Sequence, residues 1–494
     1  MLTSKLPVPE SFRQEYLEQY GILPLELVED RLRVAVCGEP DPDALEDLRT
    51  SYDARLELLP VEREELAAAI RQTFAAAESV VEMVRDLDAS LAPGAEGLDE
   101  STTDVRDLAN QPPVIRFVNL LIREAFDTGA SDIHLEATRE GVRVRLRIDG
   151  VLAELPSPPR AWQAAVVSRL KLLADLDIAE RRAPQDGRIR VRLESRELDL
   201  RVSTVPTLYG ESVVLRLLDR GGRPVTLGEL GMPPGMLAAV EHLARRPHGI
   251  LLVTGPTGSG KTTTLYAALG LRHPTEEKII TVEDPVEYHL PQVTQVPVRP
   301  QAGMGFATAL RSILRQDPDV LMIAEMRDAE TVALGVETAM RGRLVLGALH
   351  ALDTVTGLER LLDFKIESHA VAAAVNGILA QRLVRRLCPE CRVRYRPDPA
   401  VAALVSGGPV GTLTLERGAG CAACRQTGYR GRVGLFELLL ITEGLRDDIA
   451  REASRGWLRE RIVAQKLTTL KADGWTKVQA GVTTVEEVLR VTGA

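Results

Sequence analysis

GPTGSGKT, residues 255–262, stands between the apolar run HGILLVTG (248–255) and TTLYAALGL (263–271). It fits the spacing G-x-x-x-x-G-K-[ST], and the flanks read as a strand before it and a helix after it. The residue types follow from geometry. Gly255, Gly258 and Gly260 let backbone N–H groups close around phosphate oxygens, where a Cβ would obstruct the wrap or disfavour the φ required. With Pro256, Thr257 and Ser259 they form a candidate ATP-binding loop. Lys261 would reach the β- and γ-phosphates, Thr262 would offer its hydroxyl to Mg²⁺, and the helix N-terminus would add its dipole. A plain glycine-rich turn is the bland alternative, and it leaves the strand and helix on either side unexplained.

Working outward, KIITVED (278–284), DVLMIAE (319–325) and RLVLGALH (343–350) are further strand-like runs separated by helical segments. Apolar strands alternating with helices predict an α/β domain with a mostly parallel sheet covered on both faces. Two of these runs end in carboxylates, Glu283-Asp284 and Glu325. A single acidic strand end is more often a cap or a surface group. Two in the same series as a phosphate loop point instead to the ligand crevice, because the carboxyl ends of parallel strands converge there. Upstream, VIRFVNLLIREAF (114–126) has helical periodicity, and VRVRLRIDGVLAEL (142–155) alternates about an Asp149-Gly150 turn, a hairpin signal. Its arginines 143, 145 and 147 read as a solvated face. Residues 197–218 supply two more strands. Near the start, LRVAVCG (32–38) predicts a strand and REELAAAIRQTF (63–74) a helix with Leu66, Ile70 and Phe74 on one face.

The chain has 494 residues and a net charge of −9, with only 4% aromatic residues. That balance argues against a nucleic-acid-coating protein or a strand-stacking platform, and no nucleic-acid partner is expected. The charge is uneven: residues 1–110 hold 25 acidic against 10 basic side chains, so the remainder is net positive. No apolar run reaches the ~18 residues of a membrane span, and the N-terminus lacks an apolar signal core, so a cytoplasmic location is expected. The expected organisation is a partner-docking module over 1–85, a flexible acidic linker over 86–112, a second domain over 113–222 and an ATPase domain over 223–494.

Four of the five cysteines fall in two CxxC pairs, Cys388/Cys391 and Cys421/Cys424. Such pairs can present four thiolates tetrahedrally, which suits a closed, structural Zn²⁺ site within an insertion at 388–424. Iron is a rival occupant, and disulfides a weaker reading in a reducing compartment. Arginines 382, 385, 386, 392, 394 and 396 make the first cysteine knuckle basic, either a docking surface or solvated charge. Cys37 reads as a small core residue.

GPTGSGKT, ITVEDPVEY, LRQDPDVLMIAEMRD and RLVLGALH together resemble the secretion and type IV pilus assembly ATPases. GASDIHLE (129–136), ERRAPQDGRIR (180–190) and LRVSTVPTLYGE (200–211) resemble that family's preceding domain. The resemblance implies a RecA-like P-loop core behind a PAS-like α+β domain, and a homo-hexamer. The hexamer would hydrolyse ATP in contact with an inner-membrane secretion protein and a platform protein. Length, the single N-terminal module and the cysteine insertion favour the type II secretion branch, with pilus assembly the alternative; retraction motors lack the insertion. By the same resemblance Glu325 would be the catalytic carboxylate and Glu283 would position water or metal. His350 would contact nucleotide, and Arg201 and Arg216 would act as arginine fingers. Ala324 replaces a usual Gly and Arg343 a usual His. The first would crowd the loop or slow turnover without removing the carboxylate, and the second removes a proton shuttle but could still bind phosphate. A nucleotide-gated scaffold without turnover is the reading these departures leave open.

Overall fold

A computed structural model describes residues 14–28, 31–38, 40–52, 54–75, 111–193, 196–219, 225–406 and 413–493, with single positions at 12, 80, 83, 84 and 109. The linker expected over 86–112 lies outside them but for 109, 111 and 112. The chain divides into two compact units. One holds residues 1–147, 152–189 and 201–216, the other 148–151, 190–200 and 217–494.

In the first unit, β1 (Ile22–Val28), β2 (Arg31–Val36) and β3 (Arg55–Pro60) form a three-stranded sheet in that order. β1 and β2 are antiparallel, β2 and β3 parallel. A parallel pair needs a crossover, and the helix Pro42–Tyr52 supplies it, with Pro at its first position, where the missing N–H costs nothing. Leu17, Ile22, Leu32, Val34, Leu48, Leu66 and Ile70 are its buried core, which includes two residues of the predicted helical face.

A six-stranded sheet follows: β4 (Ala130–Ala137), β5 (Val142–Ile148), β6 (Val151–Leu155), β7 (Gln185–Leu193), β8 (Arg196–Thr207) and β9 (Gly210–Asp219), in the order β6-β5-β4-β9-β8-β7. The β5–β6 turn has Asp149 at φ 49° and Gly150 at φ 85°, the two left-handed residues of a tight hairpin. The helix Pro112–Asp127 buries Val114, Phe117, Val118, Leu121, Ile122 and Ala125, the 3.6-residue stripe its sequence predicts. β5 buries Val142, Val144 and Leu146. Its arginines are paired rather than merely solvated: Arg143 with Glu154 at 3.5 Å, Arg147 with Asp132 at 3.8 Å, and Arg145 with Glu136.

In the second unit, β10 (Gly249–Thr254), β11 (Ile279–Glu283), β12 (Thr294–Pro297), β13 (Val320–Ile323), β14 (Leu344–Leu349) and β15 (Val375–Leu387) are joined after a short β16 (Arg392–Tyr395) and β17 (Leu415–Gly418) ribbon by β18 (Tyr429–Leu440). The large sheet runs β12-β11-β13-β14-β10-β15-β18. All its pairings are parallel except β15 with β18. Successive strand residues feed opposite cores: Ile250, Leu252, Leu321, Ile323 and Val345 on one face, Leu251, Val253, Val320, Met322, Leu344 and Leu346 on the other. This is the double coverage that near-continuous apolar strands demand. The register sets Thr254 beside Leu349 and Ala380, and Ile323 beside Gly347. The residues that follow these strand ends therefore share one edge of the sheet.

Candidate active site

The loop between β10 and the helix Lys261–Leu269 has the conformation its glycines allow, with Gly255, Gly258 and Gly260 at φ 156°, 76° and 86°. A Cβ on Gly255 would lie 2.4 Å from Ser259 Oγ and 2.5 Å from Gln381 O, so no side chain fits there. Lys261 Nζ donates to the carbonyls of Gly255 and Pro256, at 2.9 and 3.0 Å. Burial pushes its pKa down to about 8, the charge of nearby Glu325 opposes the shift, and that of Arg382 adds to it. Ser259 Oγ is buried without a partner. A cradle closed to Cβ atoms, a desolvated ammonium and an orphaned hydroxyl fit a bound phosphate chain.

Glu325 lies two residues past β13. Its Oε1 is 2.5 Å from His350 Nε2, and its Oε2 accepts from Arg327 Nη2, also at 2.5 Å. Burial raises its pKa, but the Arg327 guanidinium, and after it the contact with His350, outweigh this and hold it below the ordinary carboxylate range. His350, directly after β14, thus meets the Glu325 carboxylate, which is near enough for its charge to act on Lys261. Ala324 packs its methyl against the apolar core on one face of the sheet. Arg327 carried no sequence expectation; its spacing of two from Glu325 was the available signal.

Glu283 is different. It is 0% exposed. Its Oε1 accepts from Gln295 Nε2 at 3.0 Å and Thr281 Oγ1 at 2.5 Å, and its Oε2 accepts from Tyr266. Three side chains therefore satisfy this carboxylate inside the sheet. Arg343 is at the amino end of β14, where it donates to Pro318 O at 2.8 Å and Asp317 Oδ1 at 3.2 Å. That is the sheet edge opposite the phosphate loop, so the expectation that Arg343 could bind phosphate does not hold; it fastens the turn that enters β13.

Two neighbours of the loop were missed or misread. Gln381 Oε1 accepts from Thr264 at 2.5 Å, and its amide nitrogen would lie 2.8 Å from a Cβ on Gly260. Arg382, expected among solvated charges, is 7% exposed. Its neighbours are also engaged: Arg385 pairs with Glu487 at 2.8 Å and stacks 4.0 Å over Tyr429, and Glu416 takes Arg392 and Arg394. Arg201 on β8 and Arg216 on β9 belong to the first unit. Arg216 Nε donates to Asp132 Oδ1 at 2.9 Å with its side chain 61% exposed.

The four cysteines meet. Their sulfurs all lie within 4.8 Å of one another, at 3.8 Å for Cys388–Cys421, 3.7 Å for Cys391–Cys424 and 3.6 Å for Cys421–Cys424. A tetrahedron with Zn–S bonds of ~2.3 Å has edges of about 3.8 Å, so this donor set fits a tetrathiolate metal. Burial raises the Cys424 pKa, but the N–H groups of Cys421 and Gly428, each 3.2 Å from its sulfur, stabilise the thiolate and carry it down to about 6. Between the two pairs, residues 392–395 and 415–418 form the antiparallel β16–β17 ribbon.

Comparison with known proteins accords with this geometry. The family described as "Type II/IV secretion system protein" matches residues 107–490, and the one described as "MshEN domain" matches 3–80. The chain is 43% identical over 493 residues to the type II secretion system protein E of Xanthomonas campestris pv. campestris, covering 99% of this chain and 86% of that protein. It is 39% identical to the type IV pilus assembly ATPase PilB of Myxococcus xanthus, covering 96% and 85%. Among solved structures, the Legionella pneumophila ATPase DotB superposes with a TM-score of 0.56 at 19% identity, covering 77% of this chain and 96% of that one. The pilus retraction motor PilT with bound ADP does so with a TM-score of 0.52 at 24% identity, covering 76% and 96%. These two likenesses speak to the fold. The chain belongs to the type II/IV secretion system protein family, as a secretion ATPase with a RecA-like core.

Proposed function

We propose that this chain is the cytoplasmic ATP-driven motor of a type II secretion apparatus, recruited to the inner membrane by its N-terminal module and working as a homo-hexamer. The observation that carries the hydrolytic part is the convergence of Lys261, Glu325 and His350 at the carboxyl edge of one parallel sheet. The loop amides and Lys261 bind the β- and γ-phosphates. Oε2 of Glu325 becomes available when Arg327, whose side chain is 59% exposed, turns to solvent. Glu325 then orients the attacking water and takes its proton. The water oxygen bonds to the γ-phosphorus as the bond from that phosphorus to the β,γ-bridging oxygen breaks. His350 holds the other carboxylate oxygen still. Mg²⁺, which Thr262 would hold, supplies charge neutralisation on the phosphates.

Arg201 and Arg216 are the candidates for further charge neutralisation. Loss of such a finger costs about 10³–10⁵ in rate in related NTPases. Glu283 supports the strand end as a buried, satisfied carboxylate rather than touching water. Zinc would supply a rigid cross-link between the two CxxC turns. The high identity to a type II secretion protein along nearly the whole chain favours secretion, and the match to PilB keeps pilus assembly as the second reading.

The test is steady-state phosphate release. The purified chain should turn over ATP, and Glu325→Gln should lower kcat by about 10²–10⁴-fold with ATP still bound. Equal rates would favour the scaffold reading. Pull-down of the N-terminal module from the host's inner-membrane fraction decides between secretion and pilus machinery.

A further inference from the structure

Arg382 is a buried cation that the mechanism above does not use. It lies on β15, and β15 is hydrogen-bonded to the strand that carries the phosphate loop. Its Nη2 donates to Leu352 O at 2.5 Å and its Nη1 to Gln381 O at 3.1 Å. Among the described residues no carboxylate lies within ion-pairing distance of it. Burying a guanidinium against two carbonyls is expensive, and a neutral amide could serve those carbonyls at lower cost. The charges of Asp353 and Glu437 oppose the effect of burial but are outweighed by it, so the cation is only partly compensated. Arg382 is also near enough for its charge to act on Lys261, and its chain neighbour Gln381 lies against Gly255 of the phosphate loop. Anionic phosphate at Lys261 would compensate both cations.

The other end of Arg382 leads to the catalytic carboxylate. Leu352 follows His350 by two residues. The segment between them is fastened weakly to the end of β10 by Thr254 Oγ1, 3.4 Å from Ala351 O, and Asp353 Oδ1 then caps the next helix by accepting from Thr356 N at 2.7 Å. Of these fastenings the one from Arg382 is the one whose charge also acts on Lys261. We infer that Arg382 is a positioning residue of hydrolysis: phosphate held at Lys261 fixes its guanidinium, and through Leu352 O this holds residues 350–353 so that His350 stays on Glu325. The inference rests on the ATPase reading for its kinetic arm, but not for its structural arm.

Both arms use the full chain. A displacement of about 1 Å at a catalytic group costs about 10²-fold, so Arg382→Gln should lower kcat by about that factor, with a smaller loss of ATP binding because the phosphate that fixes the guanidinium is also attracted by it. Arg382→Lys, which keeps the charge and a donor, should recover most of the loss. In a cycle with His350→Ala the second substitution should cost nothing further, because both act through one contact. Multiplying losses overturn the inference, as does weaker binding at unchanged kcat or a lowered Tm at unchanged kcat. If Arg382→Gln does not fold, Arg382→Lys enters the same cycle, and its loss must vanish beside His350→Ala. The second arm is hydrogen exchange of residues 349–356 with and without a non-hydrolysable ATP analogue, adenylyl imidodiphosphate. The parent should gain protection there and the Arg382 variant should not. A parent without turnover sinks the hydrolase reading alone; equal protection in both chains sinks the role of Arg382.

Discussion

Lys261 shows how a single side chain can be both necessary and costly. Removing it from water favours the neutral amine, and the nearby Arg382 charge works in the same direction. Phosphate reverses that balance. With a free-chain pKa of about 8, the cation that binds triphosphate is lost as pH rises through that value. kcat/KM for ATP reports the free enzyme, so it should fall above about pH 8 toward the level of Lys261→Met, whose own profile should stay flat over the same window. kcat should persist to higher pH, since bound phosphate restores the ammonium. A parent profile as flat as the variant's would show that Lys261 does not bind phosphate as a cation. The loop and Glu325 were legible in sequence because strand, loop and helix signals flank them. The burial of Glu283 was not, because Tyr266, Thr281 and Gln295 reach it from three separate segments. Arg343 misled for a related reason: a motif fixes its place along the chain but not at which end of a parallel strand it acts.

At the scale of elements, β15 does most to organise the second unit. It pairs in parallel with β10 and antiparallel with β18, so the parallel series predicted from four apolar runs is extended by a long antiparallel pair. The sequence disguised this, since GILAQRLVRRL interrupts its apolar positions with Gln and Arg, and the polar residues are buried only through partners far along the chain. Gln381 meets Thr264, and Arg385 meets Glu487. Glu487, on the helix Val485–Thr492, also takes Arg490 at 2.7 Å and the backbone N–H of Arg385 at 2.8 Å. Burial raises its pKa, but these partners win and bring it down to about 2. A carboxylate depressed in the folded state stabilises above its unfolded pKa and loses that contribution as pH falls toward the folded one. Glu487→Gln should therefore cost on the order of 2 kcal/mol at pH 7, after discounting for solvent screening. The deficit should shrink between about pH 4.5 and 2. Denaturant titrations of both chains across that window check it, and a deficit independent of pH would mean that the ion pairs are not its source.

Across the whole molecule, charge divides the labour. Residues 1–110 carry 25 acidic against 10 basic side chains, whereas the proposed phosphate site holds Lys261, with Arg382 near enough for its charge to act on it. An acidic segment does not help a nucleotide site bind an anion, so its charge has a different target, and a basic cytoplasmic partner is the complement. The first 80 residues also have their own buried core and their own family match, so their removal leaves no half of a sheet exposed. Deleting residues 1–100 should accordingly leave phosphate release intact while abolishing cosedimentation with inner membranes that carry the secretion apparatus. The intact chain's attachment should weaken as salt is raised, because exposed charges attract within a Debye length of roughly 8–10 Å at ordinary ionic strength. A truncated chain that still sediments with those membranes would move the docking surface to the second unit. There the exposed arginines just before and within the tetracysteine insertion, Arg386 and Arg396, would be the first to reverse in charge.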